Sequence, residues 1–390
     1  MKTINYGKQN IDKRDIAAVV KSLKNDYLTS GPNTISFEQN FKKKVGASYA
    51  VSCSSGTSAI HLSLLALNIK KNDVVIIPVI NFIASMNMLE IMRAKIILSD
   101  VSKETGQMTP KNLEECIKKN KLKKIKAVIT MYNGGDPLNA EKFYKLKKKY
   151  NFYLMEDACH ALGGKYYTKK VSFVGSCKFS DISTFSFHPI KSITTCEGGM
   201  ITTNNKKLYE KMKLLKNHGI LRKKSNKNNY FWNYKILFPG FNYRLSDVNC
   251  SLGNSQLKRL DQMIIKRRDI AKLYNDKLKD FQTFINLPSQ KSYNKTAFHL
   301  FLITFNLNKF KISRNEIIKK LFKSGIITQV HYIPVNSHPY YKKYRSAKLP
   351  GAKEYYKSCL SLPIFPDLKK SEINYICDKI KIIINKFKKN

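Results

Sequence analysis

Acidic residues are scarce in this chain: across 390 positions, 27 Asp and Glu stand against 71 Lys and Arg, a formal net charge of +44. Close cysteine pairs are absent. The eight cysteines, at 53, 116, 159, 177, 196, 250, 359 and 377, include no Cys-x-x-Cys and no metal-ligand spacing. They read as reduced thiols, and neither a disulfide scaffold nor a metal site is expected. The opening stretch MKTINYGKQNIDKRD lacks the apolar core of a secretory signal, and no uninterrupted apolar run reaches membrane-spanning length. A cytoplasmic protein without membrane attachment is the expectation. Internal repeats are missing too, and the lysine-rich stretches are too mixed with apolar residues to count as low-complexity.

What is present is ordinary globular composition, 43% hydrophobic, in a chain too long for one small core. A large domain over residues 1–245 and a smaller one over 246–390 are expected. The excess of lysine fits solvated helix faces, as in the run 145–149. No known nucleic-acid-binding spacing accompanies it, so no specific nucleic-acid partner is implied. A basic field still favours capture of an anionic, phosphorylated substrate.

Apolar residues recur at helical spacing from Ile11 to Leu28 and again from Ile35 to Val45. Strands then alternate with helices: Tyr49 to Ser52, Val74 to Pro78, Ala94 to Leu98, Ala127 to Thr130, Phe152 to Met155 and Ser183 to Phe187. Helices follow Ser55-Gly56-Thr57, begin at Phe82, and span Ala140 to Tyr150. The pattern predicts a mostly parallel sheet covered on both faces, with ligands beyond the carboxyl ends of its strands. Ile201 to Thr203 follows a glycine pair as the return strand of a hairpin. After Ser246 a long amphipathic helix carries Leu257, Leu260, Ile264 and Ile270. Strands over Phe298 to Phe305 and Thr328 to Tyr332, with helices over Arg314 to Ser324 and Lys370 to Phe387, complete a mixed α/β unit.

Three groups in chain order suit the parts of a phosphorylated pyridine aldehyde. Ser55-Gly56-Thr57, between a strand and a helix, offers backbone N–H groups and hydroxyls to a phosphate, although a turn with a cap explains it equally. Asp157 ends an apolar strand, where a carboxylate calls for a cationic partner such as a protonated pyridine nitrogen; a helix N-cap is the commoner job for Asp there. Lys191 lies among Pro189, Ile190, Ile193 and Cys196. Lost hydration at that position would lower its pKa and leave the neutral amine that attacks a carbonyl carbon to form an imine. Taken alone, Lys191 reads as one more surface lysine. Glu197-Gly198-Gly199 reads as a tight reversal using the backbone angles open to glycine.

Together these segments resemble the DegT/StrS family of nucleotide-sugar aminotransferases, from about Ile4 to the last helix. The resemblance rests on a string of motifs: Leu28-Thr29-Ser30-Gly31, Ser55-Gly56-Thr57-Ser58-Ala59, Pro78-Val79-Ile80-Asn81-Phe82, Glu156-Asp157-Ala158-Cys159-His160-Ala161-Leu162-Gly163, Phe185-Ser186-Phe187-His188-Pro189-Ile190-Lys191, Phe241-Asn242-Tyr243-Arg244 and Gln329-Val330-His331-Tyr332. It implies the fold-type-I architecture of pyridoxal 5'-phosphate-dependent transferases. It also implies that Lys191 is the Schiff-base lysine and proton shuttle, with Asp157 on the pyridine nitrogen and Phe82 stacked on the ring. Gly56, Thr57 and Ser186 would hold the phosphate, Asn242 would reach it from the neighbouring subunit of a homodimer, and His160 would lie near the ring hydroxyl. His331 and Tyr332 are candidates for the sugar. Related sugar 3-dehydratases carry histidine where this chain has Lys191, so the resemblance implies transamination.

Within the family the likeness is nearest to members that aminate C4 of a UDP-linked 4-keto-6-deoxy-N-acetylhexosamine, with glutamate as donor, in making a surface sugar such as pseudaminic acid. Amination at C3 or C4 of another nucleotide-linked keto sugar, dTDP or GDP, is the alternative, followed by a non-catalytic regulator on the same fold. Two stretches depart from the family pattern. Residues 132–136, Tyr-Asn-Gly-Gly-Asp, stand where many relatives have a histidine and a glutamine, and the Lys- and Asn-rich stretch 223–234 reads as an inserted flap over the substrate.

Overall fold

Short β-branched runs alternating with amphipathic segments build the layered sheet the sequence predicts. The computed structural model describes residues 3–222, 232–344 and 348–389, so the expected flap falls largely outside the described residues. Seven strands, β1 (Tyr49–Cys53), β2 (Val74–Pro78), β3 (Lys95–Ser99), β4 (Ala127–Met131), β5 (Tyr153–Asp157), β6 (Ile182–Ser186) and β7 (Gly199–Thr203), form one sheet in the order β1-β7-β6-β5-β4-β2-β3. Neighbours from β3 to β6 run parallel, while β7 runs antiparallel to both β6 and β1. All five residues of β4 are buried, as a central strand covered on both faces requires. The helix Gly56–Ala66, with nine of eleven residues buried, lies against β6 and β7.

A hairpin of β8 (Ile220–Leu221) and β9 (Lys235–Ile236) leads toward the second core. That core is built on a small antiparallel sheet, β10 (Ile285–Asn286), β11 (Phe301–Phe305) and β12 (Cys359–Leu362), and on the helices Arg314–Lys323 and Lys370–Phe387. The expected long helix after Ser246 is two helices, Asp247–Lys258 and Leu260–Leu278, meeting at Arg259. The second passes from one core to the other: Leu260, Met263 and Ile264 pack with the large unit, and Ile270, Tyr274 and Leu278 with the second. Buried Arg267 fastens it there, donating to the carbonyls of Phe298, His299 and Ile364.

Two expectations fail for identifiable reasons. Thr328 to Tyr332 is not a strand, because it pairs with β12 only at Gln329 and Ser361. Beyond that point the His331 carbonyl accepts from the Asn133 amide and the Tyr355 hydroxyl, so side-chain donors replace the ladder. The first helix, Lys13–Leu23, ends short of Leu28 and faces the opposite way from its pattern. Ile16, Val20 and Leu23 are 58%, 46% and 57% exposed, while Asp15 and Ser22 point inward. Asp15 turns the helix because it is fully buried against the Arg259 guanidinium and also accepts from Ser255 Oγ and Gln256 Nε2, each at 2.6 Å.

Removing one partner of a buried ion pair leaves the other charge unpaired. Asp15→Ala is therefore expected to cost about 3 kcal/mol of stability, read as a lower unfolding midpoint, whereas removing the solvent-exposed Arg14 guanidinium beside Asp12 should leave the midpoint unchanged.

Candidate active site

The parallel strands β4, β5 and β6 end side by side, with Met131 paired to Asp157 and Asp157 to Thr184. Side chains alternate along a strand, so the two acids closing β5 face opposite ways. Glu156 is enclosed by four hydroxyls, from Tyr132 (2.5 Å), Tyr166 (2.7 Å), Ser180 (3.0 Å) and Ser183 (2.6 Å). Asp157, 3% exposed, accepts from Cys159 alone, its N–H at 3.1 Å and its thiol, and has no ion-pair partner among the described residues. Burial raises its carboxyl pKa, opposed by the Cys159 hydrogen bonds and the charge of Lys191.

Lys191 sits in the loop joining β6 to β7. Phe187 N donates to Gly198 O (2.8 Å), Thr195 N to Phe187 O (3.1 Å) and Lys191 N to His188 O (2.9 Å), which fixes the loop at both ends. Burial pushes the amine below the ordinary lysine range, against the pull of Cys159 and Asp157. The glycines here serve a different purpose from the one read in the sequence. The left-handed residue of this turn is Cys196, whereas Gly199 is required by space, since a Cβ on it would lie 2.3 Å from Ser55 O.

That close approach brings β7 to the start of the helix Gly56–Ala66. Ser55 Oγ caps Ser58 N at 3.0 Å, leaving the Gly56 and Thr57 N–H groups without an intrahelical acceptor. A Cβ on Gly56 would stand 2.8 Å from Ser186 Cβ, so Gly56 and Ser186 are in contact. Ser54 N donates to Tyr243 O at 2.9 Å, which sets exposed Asn242 beside this helix end.

On the other side stands an aromatic cluster. Phe82 is 52% exposed, with its ring 6.0 Å from that of Tyr332. Tyr332 Oη and His160 Nε2 are 3.0 Å apart, and Gly134 N donates to His160 Nδ1 at 3.4 Å. A backbone donor at Nδ1 puts the imidazole proton on Nε2, which therefore donates to Tyr332. His331 Nδ1 lies 2.7 Å from Ser361 Oγ, and burial brings its pKa down to about 3. The structure thus gathers Gly56, Thr57 and Ser186 at one end and Phe82, Asp157, His160, Lys191, His331 and Tyr332 around the strand ends. His299, whose ring is 4.4 Å from His160, escaped the sequence reading; a lone histidine opening a strand carries no signal that marks it.

The grouping has the parts a phosphorylated pyridine aldehyde needs. It offers a desolvated amine for the aldehyde, a buried carboxylate without a cation for the ring nitrogen, an open helix N-terminus with a hydroxyl for the phosphate, and an exposed aromatic ring for stacking. No cluster of metal-ligating side chains occurs among the described residues.

Fold and site together define an aminotransferase of fold type I. The chain belongs to the DegT/DnrJ/EryC1/StrS aminotransferase family, whose pattern matches residues 9–381. It is 37% identical over 387 residues to a UDP-4-amino-4,6-dideoxy-N-acetyl-beta-L-altrosamine transaminase of Campylobacter jejuni, covering 99% of each chain. It is also 32% identical over 385 residues to the spore coat polysaccharide biosynthesis protein SpsC of Bacillus subtilis, covering 97% of this chain and 96% of that one. Among solved structures, Helicobacter pylori PseC, an aminotransferase involved in the biosynthesis of pseudoaminic acid, superposes with a TM-score of 0.90 at 30% identity, covering 99% and 100% of the two chains. The sugar aminotransferase Spr1654 of Streptococcus pneumoniae, solved in a PLP form, does so with a TM-score of 0.87 at 25% identity, covering 98% and 99%.

Burial, and the nearby charges of Lys191 and His331, hold the His160 pKa far below its usual value, so the ring has no proton to gain between pH 8 and about pH 6. Its ¹⁵N imidazole signals are expected to keep the neutral, Nε2-protonated pattern across that range; a titration near pH 6.5 would contradict the hydrogen-bond assignment.

Proposed function

We propose that this enzyme transfers an amino group from an amino acid, glutamate, to C4 of a UDP-linked 4-keto-6-deoxy-N-acetylhexosamine, in the synthesis of a surface sugar such as pseudaminic acid. The observation that carries the reading is the placing of buried Asp157 at the end of β5, paired with Thr184 of β6, beside the loop of half-buried Lys191, so that each acts on the other's charge. The sugar is read from the relatives: a UDP-amino-dideoxy-N-acetylaltrosamine transaminase at 37% identity over nearly the whole chain, and PseC among the structures.

Lys191 would hold pyridoxal 5'-phosphate covalently, Asp157 would pair with its ring nitrogen, Phe82 would stack on its face, and Gly56, Thr57 and Ser186 would take its phosphate. His160 stands toward the ring hydroxyl, with His331 and Tyr332 toward the sugar. Bound there, the cofactor supplies an electron-poor ring that accepts the electron pair left when a substrate carbon loses its proton. The protein moves that proton. Lys191 Nζ would be the base that takes the proton from the donor Cα and, in its protonated form, the acid that gives it back to the cofactor's exocyclic carbon. In the second half it works in reverse on C4 of the sugar. A lowered amine pKa suits both directions, because the base form is then more populated than for an ordinary lysine. Asp157 keeps the ring nitrogen protonated by remaining ionised once that cation arrives.

The same reading has the enzyme working in the cytoplasm as a homodimer, with Asn242 of each subunit reaching the phosphate of the other. Two features support it: the exposure of Asn242, and the outward apolar stripe Ile16, Val20 and Leu23, a face that a monomer leaves in water.

Lys191→Ala is expected to lower turnover by roughly 10²–10⁴-fold and to abolish the change in cofactor absorption that glutamate alone produces in the unaltered enzyme. Asp157→Asn is expected to reduce turnover by about 10²-fold while still allowing the cofactor to attach at Lys191. Incubation with glutamate and UDP-, dTDP- and GDP-linked 4-keto sugars, with mass detection of the product, tests the substrate. Amination of a dTDP- or GDP-linked sugar in preference to the UDP sugar would replace this assignment with the alternative.

A further inference from the structure

The turn 132–136, one of the two departures from the family pattern, has a second side. Behind it lies a cavity of about 370 Å³ between the two cores, whose lining includes neither Lys191 nor Asp157. Its walls are apolar, with Leu138, Pro288, Phe298 and Leu302, and its charged residues are Glu104, Asp136 and Lys291. In a chain where bases outnumber acids 71 to 27, a cavity with two carboxylates and one lysine reverses the general sign of the molecule.

The polar groups there accept more than they donate. Asp136 accepts from the Tyr167 hydroxyl at 2.7 Å, with the hydroxyls of Thr296 and Ser292 beside it, and among the described residues no cation pairs with it or with Glu104. Burial lifts the Asp136 carboxyl to about 6, with the hydroxyls of Tyr167, Thr296 and Ser292 acting against the rise. Asn133, buried at the back of the turn, spends its amide N–H groups on His331 O and Tyr355 Oη and leaves its Oδ1 without a partner. That amide oxygen is closed off from the cavity, whereas the half-desolvated carboxylate faces it and calls for a donor, which satisfies it best when it carries positive charge.

We propose that this cavity is a second ligand site that takes a small organic cation, an alkylguanidinium or alkylammonium. The charged head pairs with Asp136, and the alkyl stem lies along Leu138, Phe298 and Leu302. A guanidinium suits the head because it only donates and matches a carboxylate in its plane. The apolar walls suit an organic cation, and no cluster of metal-ligating side chains occurs there among the described residues. The occupant lies one turn of backbone from the reacting centre, since Gly134 in the wall is the residue that donates to His160.

The test is calorimetric titration of the cofactor-loaded protein with n-butylguanidinium chloride, chosen because a guanidine does not condense with an aldehyde as an amine does. Saturable binding of one ligand per chain is expected, at least about tenfold weaker in Asp136→Asn and lost in Leu138→Trp, which fills the cavity from a partly exposed position. Both variants should unfold at the wild-type midpoint. Absence of saturable binding to the wild type, equal affinity in Asp136→Asn, or undiminished binding in Leu138→Trp would each overturn the proposal. The measurement reads binding alone, so its outcome is independent of which sugar the enzyme aminates.

Discussion

An amine and a carboxylate held out of water at the ends of neighbouring strands are the constraint from which the rest of this structure follows. Separately each is costly: desolvation drives Lys191 toward its neutral form and Asp157 toward its protonated one. Together each partly restores the other's charge, and a cationic ring placed between them would relieve the carboxylate fully. Such a pair works only if its geometry cannot relax. The loop of Lys191 is accordingly tied back to Phe187 and Gly198, and Gly199 leaves no space between β7 and the phosphate-side turn.

The contrast between Glu156 and Asp157 shows how the strand separates structure from chemistry. Both are buried in β5, one residue apart, and the two-residue period sends them to opposite faces. Glu156 meets four hydroxyls, so its charge is satisfied and it takes no part in binding. Asp157 meets Cys159 alone and is left able to bind a cation. What makes it a candidate ligand group is the scarcity of hydrogen bonds, a property that the dipeptide Glu-Asp alone does not reveal.

The strands were legible because a parallel sheet buried on both faces writes itself as short apolar runs between helical segments, and Val74–Pro78 and the helix Ala140–Tyr150 have the bounds read from the residues. The candidate site was legible as motifs, since most of the residues proposed for phosphate, ring and aldehyde lie at or just past a strand end. Long-range hydrogen bonding was not. Thr328 to Tyr332 has strand composition, yet the donors that dissolve its ladder, Asn133 and Tyr355, lie far away in sequence. The first helix has a clear apolar stripe, but its orientation is decided by Arg259, more than two hundred residues on. His299 joins His160 only through the packing of the second core on the first. In each case a distant side chain overrode a correct local pattern.

The same distant partners explain how a chain so short of acids spends them. Four of its 27 carboxylates are buried: Asp15, Glu156, Asp157 and Asp247. Asp247 accepts from the backbone N–H groups of Gly31, Asn33 and Thr34 and so fixes the turn ahead of the helix Pro32–Val45, while Asp15 fastens the helix before it. These interior anions hold segments far apart in sequence against one another, and their removal from the surface leaves the exterior still more basic than the composition states. A positive exterior concentrates anions near the protein and steers them inward. An enzyme whose proposed substrate carries a diphosphate and whose cofactor carries a phosphate therefore draws on one imbalance twice: few acids outside to repel its ligands, and the buried ones spent on holding distant segments together, with Asp157 alone facing the candidate site.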